Sequence, residues 1–210
     1  MDGLAAQARM TGVTAPTPTA QGVHHVAPGL PLGRRSPRGR LRWYLLSVPA
    51  GRERSTCEKL LRLVPGDLLE DAFVPARERW MKRADGWRIE TVNMYPGYAF
   101  ACSRDAAGLA KTLSHLTVPA TLVGTTERSW MPLADEAAQW FSQVMDGSHV
   151  IRGSMGEIVD GTLHVWRGPL VNQEARVRKI DRYRRSCIVS VCDTGGGFTE
   201  RVALEVPTKS

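Results

Sequence analysis

No run of apolar residues in this chain approaches the ~18 needed to span a bilayer, so no membrane-crossing helix is expected. Cysteine is scarce. Cys57, Cys102, Cys187 and Cys192 form no C-x-x-C pair and have no histidine at metal-ligand spacing, which excludes a disulfide scaffold and points to a reduced cytoplasm. Arg34-Arg35 precedes Trp43-Tyr44-Leu45-Leu46, but Arg38, Arg40 and Arg42 break the region and the apolar stretch is too short for an export signal. Catalytic patterns are missing as well. No G-x-S-x-G surrounds Ser154, Ser186 or Ser190. Gly195-Gly196-Gly197 precedes an expected strand, so it lacks the helix N-terminus of a phosphate site. His24, His25, His115, His149 and His164 have no acidic or cysteine neighbour at ligand spacing. No acid, base and nucleophile assemble. The chain reads as a binding protein that is not an enzyme, with no cofactor and no metal.

Aromatic residues make up only 7% of the chain, yet six of them are tryptophan. The 28 basic and 21 acidic side chains give a net charge of +7, which implies an anionic partner and says nothing about fold. Its distribution is uneven. Residues 1–40 carry five Arg against one Asp, residues 41–150 carry thirteen of each sign, and residues 163–210 carry nine basic against five acidic. The charge lies in the two ends.

Residues 1–40 are rich in Ala, Thr, Pro, Gly and Arg and lack an apolar period, so they are expected to form a disordered basic tail: an arm on nucleic acid or a dispensable leader. Trp43–Val48 reads as a buried strand and Arg52–Leu63 as a helix. That helix places Cys57, Leu60, Leu61 and Val64 on its apolar face and Arg52, Glu53, Arg54 and Lys59 on the other. Two extended runs, Ala72–Arg83 and Trp87–Asn93, flank Ala84-Asp85-Gly86, a hairpin signal. A strand at Tyr98–Ser103 follows. Asp105 is placed to cap a helix over Ala106–Leu116, and a last helix over Asp135–Met145 carries Ala138, Phe141, Val144 and Met145 as its stripe. This order predicts an α+β sandwich of helices on an antiparallel sheet. Beyond it, short alternating strands at Leu163–Trp166, Ala175–Ile180, Cys187–Val191 and Arg201–Val206, separated by turn residues, predict a small β-barrel. In the second of these Val177 is expected inward, with Arg176 and Arg178 on the outer face. The expected division is a tail (1–40), an α/β domain (41–146), a linker (147–154) and a barrel domain (155–210).

Two ordered sets of segments carry a family likeness. Trp43-Tyr44-Leu45-Leu46, Gly51-Arg52-Glu53, Val74-Pro75 and Tyr95-Pro96-Gly97-Tyr98-Ala99-Phe100 resemble the N-terminal (NGN) domain of NusG-type transcription factors. Val165-Trp166-Arg167-Gly168-Pro169-Leu170, Val177-Arg178-Lys179-Ile180-Asp181 and Ala203-Leu204-Glu205-Val206 resemble the SH3-like KOW β-barrel of the same family. The likeness spans residues 42–206. Gly168-Pro169-Leu170 with Lys179-Ile180-Asp181-Arg182-Tyr183-Arg184-Arg185 is similar to the specialised LoaP-like paralogs, with housekeeping NusG the nearest rival. The chain departs from the KOW pattern at Asn172 and Ala175, where glycines are usual. Asn tolerates the left-handed conformation, so the turn at Asn172 survives.

The resemblance implies a monomeric cytoplasmic factor that docks on the clamp helices of RNA polymerase, suppresses pausing and acts in processive antitermination. The docking residues it implies are Tyr95, Pro96, Tyr98 and Phe100, with Leu122 beside them. Strand alternation offers a second reading, since Tyr98 and Phe100 share a face with Tyr95 opposite, and one set is then core. The hairpin cations Arg77, Arg79, Lys82, Arg83 and Arg88 would approach upstream DNA, or form a solvated sheet edge. In the barrel, Arg176, Arg178, Lys179, Arg182, Arg184 and Arg185 with Tyr183 suit an RNA backbone and one stacked base, or a solvated rim. Barrels of this family also bind a ribosomal protein or a termination factor, the role of a housekeeping NusG-like protein. A ribosome-associated KOW protein is the alternative of another class.

Overall fold

The computed structural model describes residues 39–126, 129–193 and 197–207, and the tail expected over residues 1–38 lies outside them. Strand β1 (Arg42–Ser47) is followed by a turn at Gly51, whose φ of 80° suits glycine, and by helix α1 (Glu53–Leu63). The extended run expected from Ala72 to Arg83 is two strands, β2 (Asp71–Phe73) and β3 (Ala76–Arg83). They part at Val74-Pro75 because Pro75 has no N–H for a ladder, while its carbonyl accepts the Met94 N–H at 2.9 Å. Strand β4 (Gly86–Asn93) pairs with β3 across the expected Asp-Gly turn. Next come β5 (Tyr98–Ser103) and α2 (Ala106–Ser114), where the Asp105 carboxylate accepts the Gly108 N–H at 2.9 Å, as its capping position predicts. Short strands β6 (Thr121–Leu122), β7 (Gly124–Thr126) and β8 (Ser129–Trp130) lead to α3 (Asp135–Val144).

The first sheet has the order β2-β5-β1-β6 and is antiparallel throughout. Alternation along its strands gives it two buried faces. Leu46, Ala99 and Ala101 pack under α1 and α2 with Leu60, Leu109 and Leu113, whereas Trp43, Leu45, Phe73 and Phe100 face α3. A strand buried on both sides explains the unbroken Trp43-Tyr44-Leu45-Leu46. Helix α3 buries Ala137, Trp140, Phe141 and Val144; Trp140 was absent from its predicted stripe. In α1 the prediction errs at two positions. Leu61 is 44% exposed, and Glu53, expected on the solvent side, is buried.

Residues 147–154, read as a linker, carry β9 (Val150–Ile151), which runs parallel to β3, and begin β10 (Ser154–Val159). Asp146 organises this crossing by accepting the N–H groups of Ser148 and Val150 and the Arg152 Nε at 2.8, 3.0 and 2.6 Å. The last sheet adds β11 (Thr162–Arg167), β12 (Val177–Asp181), β13 (Ser186–Cys192) and β14 (Phe198–Glu205), in the order β11-β10-β14-β13-β12. Strand β10 escaped the periodicity reading because Ser154 and Gly156 occupy its buried positions. Gly156 lies where an added Cβ would sit 2.6 Å from the His164 carbonyl oxygen, so only glycine lets β10 and β11 approach. One apolar cluster runs from Phe73 and Phe100 through Phe141 to Phe198, Val189 and Leu204, with the Phe141 and Phe198 rings stacked 6.4 Å apart. The chain is thus a mixed α/β protein whose final sheet shares a core with the first.

Candidate functional site

The segments Gly51-Arg52-Glu53 and Tyr95-Pro96-Gly97-Tyr98 meet physically. The Glu53 carboxylate accepts the Gly97 N–H at 2.9 Å, and Gly97 has the positive φ (83°) that this turn requires. Burial raises the Glu53 carboxyl, but bonds from the backbone N–H groups of Gly97, Glu53 and Gly51 outweigh it and hold the group below the usual carboxylate range. The turn reverses the chain so that Tyr95, ahead of the strand, falls on the same side as Phe100, 6.1 Å between ring centroids. Strand alternation had placed them opposite, but Tyr95 lies outside β5 and alternation does not extend through a turn.

The five residues of the expected docking set therefore separate. Phe100 is fully buried in the shared core and Tyr95 is buried against β14. Pro96 is exposed and Tyr98 is 37% exposed. Leu122 pairs with Leu46 and packs on the α1–α2 side, the opposite face from Phe100.

Tyr95 donates its hydroxyl to Glu200 at 2.5 Å, and Glu200 also accepts Arg77 Nη1 at 2.9 Å. Burial raises the Glu200 carboxyl, with Tyr95 and Arg77 offsetting part of the rise. Burial and the adjacent Glu200 push the Tyr95 phenol well above its ordinary range, so it stays a donor. Arg77, taken from sequence as DNA-facing, is committed to this triad and to the Arg201 carbonyl. Arg83 pairs with Glu90 and Arg88 with Asp85, whereas Arg79 and Lys82 make no ion pair among the described residues.

The barrel set divides in the same way. Arg176 sits in a 3-10 turn ahead of β12 and reaches Glu136 of α3 at 3.2 Å and the Val191 carbonyl at 3.2 Å. The turn and the register shift after Val177 break the alternation that had put Arg176 and Arg178 on one outer face. Arg178 lies 3.4 Å from Asp193. Arg185 bonds Glu205 at 2.8 Å, with its guanidinium 4.8 and 5.4 Å from the ring centroids of Trp80 and Trp87. Arg184 lies 3.9 Å from Asp181. Lys179, Arg182 and Tyr183 are exposed, Tyr183 by 76%. Trp166, 56% exposed, lines a groove of about 380 Å³ with Arg182. In the sequence it stands in an alternating strand, within the Val165–Leu170 segment that carries the KOW likeness.

Between the β3–β4 hairpin and β13–β14 lies an open cleft of about 800 Å³. It brings Arg77, Arg79 and Lys82 of the hairpin opposite Arg184 and Arg185, which sequence reading had assigned to separate surfaces. Three thiols are inert by placement: burial pushes Cys57 up to about 11 and Cys102 and Cys187 up to about 12. Among the described residues no His, Cys, Asp and Glu group is arranged to hold a metal ion, and no helix is long and apolar enough to cross a membrane.

No model of a known protein family matches the chain, and no curated protein matches it. Among solved structures it is similar to one reported as "Domain interaction in Thermotoga maritima NusG", with 14% identity over 78% of this chain and 94% of that chain and a TM-score of 0.43.

Proposed function

We propose that this chain is a non-catalytic transcription elongation factor of the NusG type, an NGN-type module over residues 41–146 followed by a KOW-type barrel. The observation that carries the reading is the Glu53–Gly97 hydrogen bond. It joins two of the segments on which the resemblance rests into one local structure, with Pro96 and Tyr98 exposed beside it. In this reading Pro96 and Tyr98 make the first contact with the polymerase clamp helices. Tyr95 and Phe100 can reach a partner only if the barrel and α3 give way, because Glu200, Phe141 and Phe198 cover them. The factor then suppresses pausing and acts in processive antitermination in the cytoplasm, as the LoaP-like segments suggest. The exposed Trp166, Arg182 and Tyr183 favour RNA over a ribosomal protein or termination factor as the barrel's partner, since bases stack on aromatics and phosphates pair with cations.

The test is co-purification of the tagged full chain with RNA polymerase. Tyr98→Ala is expected to abolish the association at little cost to stability, because the ring is partly exposed. Phe100→Ala is not equivalent. It empties a fully buried site and should cost about 3–5 kcal/mol, so its loss of binding would report unfolding. A wild-type chain that never associates with polymerase would overturn the reading.

A further inference from the structure

We propose that the cleft between the β3–β4 hairpin and β13–β14 is a binding site for single-stranded nucleic acid, held jointly by the two parts of the chain. The proposal rests on the function above only for its nucleic-acid half and needs no polymerase.

Charge is the first ground. The carboxylates lining the cleft, Glu78 and Glu200, are already engaged. Glu78 accepts the Gly153 N–H at 2.7 Å and Arg152 at 3.1 Å, and Glu200 is held by Tyr95 and Arg77. Arg79 and Lys82 line it from opposite faces of β3, with no ion pair among the described residues, and exposed Arg184 lines it from the β13 side. Cations in a cleft with low-dielectric walls focus their field on whatever enters, and the ligand this favours is a polyanion.

The walls supply the second ground. Trp80 and Trp87 flank the cleft with the Arg185 guanidinium lying over both rings, and Glu205 fixes that guanidinium. Indole and guanidinium planes are the surfaces on which unpaired bases stack. A duplex keeps its bases stacked inside and offers no such faces, so the site selects single strands. The third ground is the strand edge. Strand β9 pairs with Ala76 and Arg77, so among the described residues the β3 edge beside the cleft has no ladder partner from Glu78 onward. A cavity of about 800 Å³ open to solvent leaves room for a strand to pass through.

Fluorescence anisotropy of a short labelled oligouridylate RNA and the matching oligothymidylate DNA, titrated with the full chain, tests the site. Binding should quench intrinsic tryptophan fluorescence and weaken with salt, by about 0.7 in the log–log slope per phosphate neutralised. Arg79→Glu/Lys82→Glu is expected to weaken binding roughly tenfold or more and flatten the salt slope, and Arg184→Glu to weaken it from the opposite wall. Arg54→Glu, on the exposed face of α1, should leave affinity within about twofold of wild type. A preference for RNA identifies a transcript and one for DNA a displaced strand, and either upholds the site. It is overturned if neither oligonucleotide binds, if both charge reversals stay within about twofold of wild type, or if Arg54→Glu weakens binding as much as they do. Loss of oligonucleotide binding with polymerase association intact would sink this inference and leave the polymerase reading standing. The reverse result would sink only the polymerase reading.

Discussion

Glu53 shows how one side chain can join distant parts of a chain. Its carboxylate accepts the Gly97 N–H, and backbone hydrogen bonding outweighs burial and holds the group below the usual carboxylate range. A depressed carboxyl contributes stability that is fully present above its unfolded value and lost as pH falls through its folded value. Glu53→Gln should therefore destabilise the chain by about 1.5–3 kcal/mol at neutral pH, the range for hydrogen bonds to a charged acceptor. The gap to wild type should close as the solution is made acidic. Urea unfolding at neutral and acid pH measures both, and a pH-independent difference would show that the charge is irrelevant.

At the scale of elements, the β10–β11 pair depends on a close approach that side chains would prevent. Strand β10 holds its place through Gly156 against the His164 backbone and through the Ser154 hydroxyl, which accepts the Leu170 N–H at 3.1 Å. A methyl group at 156 meets backbone, which cannot move aside as a flexible side chain would. Gly156→Ala is expected to cost about 1–3 kcal/mol by overpacking, read as a lower denaturation midpoint in urea with an unchanged slope. A neutral substitution would mean that the two strands separate more readily than their register implies. The hairpin is built differently: β3 and β4 pair over their full length, while many of their side chains stay partly exposed. That lets Arg79, Lys82 and the two indoles line a cleft.

The whole molecule is governed by the apolar cluster that crosses from the first sheet through α3 into the last. Phe141 and Phe198, the Tyr95–Glu200–Arg77 triad, the Arg176–Glu136 pair and Arg185 over Trp80 and Trp87 all join the same two parts. Unfolding is accordingly expected to be a single cooperative calorimetric transition. Phe198→Ala should lower stability by about 3–5 kcal/mol and uncouple the parts into two transitions. Two transitions in the unaltered chain would mean that the shared core contributes little.

Much of the fold was legible in the amino-acid sequence. Helix and strand periods located α1, α2, α3, β1 and β5 within a few residues, and Asp105 and Asp-Gly marked a cap and a turn, because these signals depend on near neighbours. The sequence also determined which side chains are cationic or aromatic, hence the chemistry available to a ligand. Tertiary structure decided which of them remain available. Arg77, Arg176 and Arg185 looked like the cations beside them, but partners 123, 40 and 20 residues away take them up. Tyr95 and Phe100 looked like docking aromatics until α3 and β14 covered them. Local pattern fixes the face a residue presents. What that face meets depends on how the chain closes over long separations, and no local period encodes that.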